Sequence, residues 1–337
     1  MIVGFIGGKF LPFHSGHEYA IRQAARQVDK LYVVLSSSEV RDKQICKQDN
    51  CSYIPAATRM SWLGRTFSDD ENNIQIVNVE DPFGDSDYDW DKGADLIKGS
   101  ITENIDVVFS SEPSYEMHFK KNFPLAKHIV IDPDRVNHPI SATMIRQNPF
   151  RYWNFIPQAV RPFFAKKVAV VGTESCGKTT LCKNLAKIFD TTWVPEYGRD
   201  ICYAYKNHLT EAVFDEIVMK QYMLDEDALY DARKFILIDS EAVVSQYYLG
   251  EYFPGKHSEF IDVFVKKQDI DLYIFLEPDV PWISDGLRFL GNPEVRKVNN
   301  NKLKELFNSY NIPFKTVAGN YEERLVRACE LIEKHIL

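Results

Sequence analysis

Residues 168–179 read Val-Ala-Val-Val-Gly-Thr-Glu-Ser-Cys-Gly-Lys-Thr, a short apolar run that enters a glycine-rich turn; a helical pattern follows to Phe189. Residues 172–179 match G-x-x-x-x-G-K-[ST] between a predicted strand and a predicted helix, the context that this motif requires. Backbone N–H groups of such a loop curl around phosphate oxygens, and the helix N-terminus adds positive potential. We expect Lys178 to reach the β- and γ-phosphates of a nucleotide and the Thr179 hydroxyl to ligate Mg²⁺. The predicted phosphate-binding residues are Gly172, Thr173, Glu174, Ser175, Cys176, Gly177, Lys178, Thr179 and Thr180.

Two further segments supply polar residues at the ends of predicted strands. Asp239 follows the apolar run 235–238 and is the candidate for the carboxylate that accompanies Mg²⁺, although an aspartate there could also cap a turn. Glu196, Tyr197 and Arg199 follow the predicted strand 192–194. Glu196 could orient or deprotonate a substrate hydroxyl and Arg199 could hold a phosphate or sugar, but a surface ion pair explains the spacing of these two equally well.

The segment Pro281-Trp-Ile-Ser-Asp-Gly-Leu-Arg288 follows another apolar strand, 272–276. Arg288 could close over a transferred phosphoryl group as a lid arginine. Trp282 could stack on a flat substrate ring, although tryptophan more often packs in a core. Together with the phosphate-binding loop, these residues indicate a kinase that acts on a small molecule.

The N-terminal half begins with a similar architecture. The apolar strand 2–6 runs into Gly7-Gly8, and a helical pattern covers 18–28. Between them stand His14-Ser-Gly-His17, where the two imidazoles would lie at a helix N-terminus and could donate hydrogen bonds to a polyphosphate. One histidine there would more often be a cap, but two that bracket Ser-Gly favour a ligand site.

The order of elements predicts two α/β domains with parallel sheets. Further short apolar runs alternate with helical patterns in both halves: 31–35, 74–79, 107–109 and 128–131, then 235–238 and 272–276. Prolines 149, 157 and 162 interrupt regular structure near residue 160. We therefore expect an N-terminal Rossmann-like domain over residues 1–160 and a C-terminal kinase domain over residues 161–337.

Composition excludes several classes of protein. The 337 residues include 45% hydrophobic and 26% charged residues, which is normal for a globular chain and argues against extensive disorder. The net charge of −8 gives no overall basic field for nucleic acid, and the six cysteines lack zinc-site spacing. The sequence has no apolar run of about 18 residues and no signal-peptide pattern, so a cytoplasmic location is expected.

The first half resembles a known superfamily. His14-x-Gly-His17 is similar to the H-x-G-H signature of nucleotidyltransferases, and Ile140-Ser-Ala-Thr-Met-Ile-Arg146 is similar to their I-S-x-T-x-x-R motif. The resemblance implies that these motifs hold ATP. The implied ATP-binding residues are Gly8, Lys9, Phe10, His14, His17, Ser110, Ser141, Thr143 and Arg146.

The ordered motifs of the whole chain resemble the NadR-type family, which joins a nicotinamide mononucleotide (NMN) adenylyltransferase to a ribosylnicotinamide kinase. The resemblance implies phosphorylation of nicotinamide riboside to NMN and adenylylation of NMN to NAD and pyrophosphate, with Mg²⁺ and ATP as co-substrate in both domains. It implies catalytic roles for His14, His17, Lys178, Glu196, Asp239 and Arg288. It implies NMN contacts by Arg59, Asp81 and Trp90, where Trp90 stacks on the nicotinamide ring, and riboside contacts by Glu196, Tyr197, Arg199 and Trp282.

Two other interpretations of the motifs stay open: a bifunctional coenzyme A synthase, and a nucleotide-sensing switch without turnover. Some NadR-type proteins begin with a helix-turn-helix, whereas this sequence starts at the first catalytic strand, so we expect no DNA binding. The expected partners are therefore small molecules: ATP, nicotinamide riboside, NMN and NAD. The polar segment 41–53 matches nothing in the family, and the oligomeric state is open, a homo-oligomer included.

Overall fold

The computed structural model describes residues 1–68, 73–81, 89–205, 208–282 and 292–337. The chain divides into two compact units, Met1–Val160 and Arg161–Leu337. No helix within the described ranges is both long and apolar enough to cross a membrane.

Unit 1 is built on a five-stranded parallel sheet with the strand order β3-β2-β1-β4-β5. Its strands are β1 (Val3–Gly8), β2 (Lys30–Ser37), β3 (Ile74–Glu80), β4 (Val107–Ser110) and β5 (Lys127–Val130). Its helices are α1 (Ser15–Ala25), α2 (Glu39–Gln48), α3 (Ala56–Thr66), α4 (Trp90–Ser100), α5 (Glu116–Asn122) and α6 (Ala142–Gln147). The strand order reverses between β1 and β4, and ligands bind at the carboxyl ends of strands at such a switch point.

Unit 2 is a second five-stranded parallel sheet with the order β10-β9-β6-β8-β7. Its strands are β6 (Lys166–Val171), β7 (Thr192–Val194), β8 (Phe235–Asp239), β9 (Leu272–Leu276) and β10 (Lys315–Val317). Its helices are α7 (Arg161–Phe164), α8 (Lys178–Ile188), α9 (Tyr197–Tyr205), α10 (Glu211–Ala228), α11 (Ala242–Tyr252), α12 (Glu259–Lys267), α13 (Pro293–Ser309) and α14 (Tyr321–His335). The predicted fold class, α/β with a parallel sheet in each half, is confirmed.

The central strands form because their side chains are apolar on both faces. Residues 168–171 and 274–276 are wholly buried, as expected for parallel strands covered by helices on both sides. The edge strand β10 was not predicted, because two of its three residues are exposed and no apolar run marks it. In both units the polar residues of the motifs follow the ends of strands, which places them at one edge of each sheet.

Candidate active sites

The glycine-rich loop of unit 2 adopts the conformations that its sequence allows. Ser175 and Gly177 have φ values of +58° and +90°, and Gly177 caps α8. Gly172 has φ +147°, and a Cβ there would lie 2.9 Å from both the Cys176 sulfur and the Leu276 carbonyl oxygen. A side chain at position 172 would therefore clash both with the loop and with the end of β9, which explains the first glycine of the motif.

Lys178 is held against this loop at the start of α8. Its side chain is buried, and Nζ donates to the carbonyl oxygens of Gly172 at 3.0 Å and Thr173 at 3.2 Å. The ammonium group is therefore directed at the centre of the loop, where phosphate oxygens would compete for it. Thr180, the last predicted loop residue, lies in the first turn of α8 and is exposed.

Two buried arginines donate hydrogen bonds to backbone carbonyl oxygens of the loop, and the sequence did not predict either of them. Arg324 donates to the carbonyl oxygens of Cys176 at 2.5 Å and Glu277 at 2.7 Å. Arg296 donates to the Ser175 carbonyl oxygen at 3.4 Å. Both lie more than 100 residues from the loop in sequence, so no local pattern marks them.

The residues expected to hold Mg²⁺ lie together where α8 begins and β8 ends. The Thr179 hydroxyl donates to Asp239 Oδ2 at 2.5 Å, and Asp239 is 1% exposed. The other oxygen, Oδ1, is buried and has no hydrogen-bond partner among the described residues. Burial, then the charge of Glu196, raises the pKa of the Asp239 carboxyl. An orphaned carboxylate oxygen beside a hydroxyl fits Mg²⁺, which binds through one or two protein oxygens plus substrate phosphates.

We expect Asp239→Asn to lower phosphoryl transfer and to raise the Mg²⁺ concentration needed for half-maximal rate, because the amide is a weaker ligand without charge. The measurement is the kinase rate against Mg²⁺ concentration. Lys183→Ala, at an exposed position of α8, is the control and should keep the Mg²⁺ dependence of the parent chain. If the Mg²⁺ dependence and turnover of Asp239→Asn are unchanged, the carboxylate lies elsewhere, and Glu196 is the next candidate.

A cavity of about 110 Å³ opens beside the loop. It brings together five of the predicted residues: Glu174, Ser175, Lys178, Glu196 and Arg199. Arg199 Nη2 lies 3.7 Å from Glu196 Oε2. The ion pair that the spacing allowed is therefore present, and it faces the cavity. The sequence did not predict the rest of the wall: Gly198, Cys202, Leu209, Phe214, Ile217, Gln221, Ser240, Glu241, Ser245, Tyr248 and Tyr252.

Three further residues of unit 2 were predicted to contact the substrates: Tyr197, Trp282 and Arg288. The Tyr197 hydroxyl points to Glu216 at 3.5 Å, whereas its backbone N–H donates to Gln221 Oε1 at 2.9 Å. Trp282 is not part of the cavity wall. Arg288 lies outside the described residues. Their contacts with a substrate stay predictions.

Unit 1 has a larger pocket, of about 350 Å³, at the carboxyl ends of β1 and β4. Seven of the nine residues predicted to bind ATP line it: Gly8, Phe10, His14, His17, Ser110, Ser141 and Thr143. Sequence reasoning missed Asp132, Arg135 and His138, which stand in a turn-rich loop just before the second motif. Arg135 is the cation of this wall, and its charge acts on both motif histidines.

His14 and His17 are stacked, with ring centroids 3.6 Å apart. His14 caps α1: its Nδ1 accepts the His17 N–H at 3.3 Å. Nδ1 of a neutral ring that accepts must lack a hydrogen, so Nε2 carries it and can donate to a ligand. His17 Nδ1 is buried and has no partner among the described residues. The cap role and the ligand role are therefore compatible in one side chain.

Burial lowers the pKa of both histidines, to about 3 for His17, and the neighbouring charges act in the same direction. An unfolded histidine titrates near pH 6.5, so below that pH the unfolded chain binds protons that folded unit 1 does not. The stability that the two neutral, buried histidines contribute to folded unit 1 is therefore fully present above pH 6.5 and is lost as the pH falls. We expect His17→Asn to reduce the loss of unfolding free energy between pH 6.5 and 5.5 by about 1 kcal/mol. Denaturant unfolding of unit 1 at these two pH values checks this, and equal losses for both proteins would contradict it.

Four predicted residues of unit 1 are paired with the segment that matched no family motif. Asp42 accepts from Arg59 at 2.6 Å and from Lys9 at 3.1 Å; Arg59 and Asp42 are both wholly buried. Arg41 pairs with Asp81 at 2.5 Å, and Asp49 pairs with Arg146 at 2.7 Å. None of Lys9, Arg59, Asp81 and Arg146 lines the histidine pocket. The wholly buried Arg59 guanidinium donates to the Lys9 carbonyl oxygen at 2.7 Å, and its contact with NMN stays a prediction.

Trp90 begins α4 and is half-buried. His118 stacks on its ring at 4.3 Å with an interplanar angle of 9°, and Tyr115 meets the ring edge-on at 4.7 Å. One face of Trp90 is therefore taken by an imidazole in this structure. The stacking of Trp90 on a nicotinamide ring stays a prediction, and it needs the other face or the displacement of His118.

Comparison with known proteins covers both units. Residues 5–148 match the family model described as cytidylyltransferase-like, and residues 167–324 match the AAA domain model. Over 98% of this chain and 83% of each relative, the sequence is 33% identical to the trifunctional NAD biosynthesis/regulator protein NadR of Salmonella typhimurium and 34% identical to that of Escherichia coli.

Two solved structures share the fold. One is a NadR protein in complex with NR, with a TM-score of 0.79, and the other is a NadR protein in complex with NAD and AMP-PNP, with a TM-score of 0.77. Each is 24% identical to this chain, and each alignment covers 99% of this chain and 96% of the solved one.

Proposed function

Because the chain belongs to the NadR family of NAD biosynthesis and regulator proteins, we propose that it makes NAD from nicotinamide riboside in two ATP-dependent steps. One observation carries this proposal: two separate pockets on one chain each collect the residues of a phosphate-binding motif. Unit 1 presents His14 and His17, and unit 2 presents Lys178 with Glu196 and Arg199.

In the first step, unit 2 transfers the γ-phosphoryl group of ATP to the 5′-hydroxyl of nicotinamide riboside, giving NMN and ADP. Lys178 contacts the phosphates, Glu196 orients the hydroxyl and receives its proton, and Arg199 holds the product phosphate. Thr179 and Asp239 would hold Mg²⁺, which neutralises charge on the β- and γ-phosphates. Arg288 remains the proposed lid arginine.

In the second step, an oxygen of the NMN 5′-phosphate attacks the α-phosphorus of another ATP in unit 1, and pyrophosphate leaves. His14 and His17 donate hydrogen bonds to the triphosphate, and Ser141 and Thr143 lie beside them in the pocket wall. Neither step needs a covalent enzyme intermediate, so positioning and charge neutralisation supply the catalysis.

The experiment is product analysis of the pure chain with nicotinamide riboside, Mg²⁺ and excess ATP. We expect NMN and ADP to appear first and NAD and pyrophosphate to follow. Dephospho-coenzyme A and 4′-phosphopantetheine, offered separately, test the coenzyme A synthase alternative. Phosphorylation of dephospho-coenzyme A without turnover of the riboside would overturn the proposal. No ADP from any nucleoside would favour the nucleotide-sensing switch.

A further inference from the structure

Ser110, His128 and Glu116 form a hydrogen-bonded chain beside the pocket of unit 1. The Ser110 hydroxyl lies 2.8 Å from His128 Nε2, and His128 Nδ1 is bonded to the Glu116 carboxylate. The His128 side chain is 2% exposed and Ser110 is 6% exposed. Only Ser110 of the three lines the pocket, so the other two act through it.

The carboxylate end of this chain fixes where the hydrogens are. Hydrogen bonds from Lys120 and then His128 lower the pKa of Glu116, so the carboxylate is ionised and can only accept. In the neutral form of His128, Nδ1 must therefore carry the ring hydrogen, and Nε2 is left as an acceptor. Phe119 packs on the imidazole with ring centroids 5.0 Å apart, which holds its orientation.

The hydroxyl hydrogen of Ser110 is consequently committed to His128. A second contact, from the Glu112 N–H at 3.3 Å, uses one lone pair of the same oxygen. The Glu112 carbonyl oxygen also lies near, at 3.2 Å, but the bond to His128 is shorter by 0.4 Å. The part of the hydroxyl that remains for a ligand is one lone pair.

Building on the proposed function, we infer that Glu116 and His128 are positioning residues that hold Ser110 as a hydrogen-bond acceptor for an O–H or N–H group of the nucleotide in unit 1. Ionised phosphate oxygens only accept, so this oxygen rejects them. The donors that a nucleoside triphosphate offers are its sugar hydroxyls and its exocyclic amino group. The chain thus orients the nucleoside end of ATP, while the histidines take the phosphate end.

The test compares ATP with analogues that each lack one donor: 2′-deoxy-ATP, 3′-deoxy-ATP and purine riboside triphosphate. Their kcat/KM values for adenylylation of NMN are measured in the parent chain, Ser110→Ala, His128→Phe and His128→Gln. We expect the parent to prefer ATP over one analogue by about 5–15-fold, the worth of one hydrogen bond. Ser110→Ala and His128→Phe should lower ATP to the level of that analogue and leave the analogue unchanged. His128→Gln, which can offer an oxygen in place of Nε2, should restore part of the preference.

The control is Lys121→Ala, which removes an exposed lysine of the same helix, α5, that pairs with Asp91 rather than with Glu116, and this variant should keep the full preference. A Ser110→Ala variant that still prefers ATP would overturn the inference. An equal loss for ATP and all analogues in His128→Phe would also overturn it, because that result indicates a structural role alone.

The proposed function and this inference can fail separately. Calorimetric titration of the Lys178→Ala chain, which lacks the main phosphate contact of unit 2, measures ATP and analogue affinity at unit 1 without catalysis. Discrimination that depends on Ser110 without any formation of NAD would sustain the inference and overturn the proposed function. Formation of NAD without discrimination that depends on Ser110 would sustain the proposed function and overturn the inference.

Discussion

Replacement of Lys178 by alanine is expected to abolish phosphorylation of nicotinamide riboside and to leave adenylylation of supplied NMN intact. The Lys178 ammonium lies within 3.2 Å of two carbonyl oxygens of the glycine-rich loop, where it would neutralise charge on the transferred phosphoryl group. Removal of one such contact costs about 10²–10³ in rate. The measurements are ADP release with the riboside and NAD formation with NMN, on the same preparation.

Lys183→Ala is the matched control for this variant. Lys183 lies on the same helix, α8, is exposed, and rests over the Trp193 ring at 5.4 Å rather than against the loop. Its kinase rate should stay within about twofold of the parent chain, as for a surface substitution that leaves the site alone. Loss of both activities in a folded Lys178→Ala protein would contradict the assignment of two independent sites.

The parts of the sites that the sequence predicted are those that one short segment encodes. The loop 172–179 carries its own glycines, its lysine and the start of its helix, so each side chain is placed by backbone geometry within a few residues. His14 and His17 are likewise placed by one helix start. Strand ends were predictable to within about two residues, because apolar runs on both faces mark parallel strands.

Contacts between distant segments were not predictable. Arg324 reaches the Cys176 carbonyl oxygen across 148 residues, and no motif marks Arg324. Helix α2 supplies Arg41 and Asp42, and Asp49 follows its end; these pair with residues expected to touch substrate. A charged segment of this kind is indistinguishable in sequence from a solvated surface helix.

The wall of the unit 2 cavity escaped prediction for a different reason. Tyr248 and Tyr252 stand four residues apart on α11 and so share one face of that helix. Phe214 and Ile217 share a face of α10 in the same way. Aromatic and aliphatic residues at helical spacing normally indicate core packing, and only the fold shows that these faces border a cavity.

Replacement of His17 by alanine is expected to stop NAD formation and to let NMN accumulate from nicotinamide riboside, because only the second step would be lost. His17 is the better choice than His14, since His14 also caps α1 and its removal would cost about 1 kcal/mol of stability. The expected fall in adenylylation is about 10²–10³-fold, with ADP release by unit 2 unchanged as the internal control. The His17 ring also packs on Phe10 and Phe13 with centroids 5.1 and 6.1 Å apart, so alanine removes packing as well as a donor.

His17→Asn separates these two effects, because the amide keeps a hydrogen-bond donor in a smaller side chain. We expect it to melt near His17→Ala and to retain more adenylylation than that variant. Equal rates for the two variants would mean that packing of the ring, rather than donation to the triphosphate, accounts for the loss. Adenylylation within about twofold of the parent chain in a folded His17→Ala protein would remove His17 from the ATP site altogether, since the loss of even one neutral hydrogen bond to ATP costs more than that.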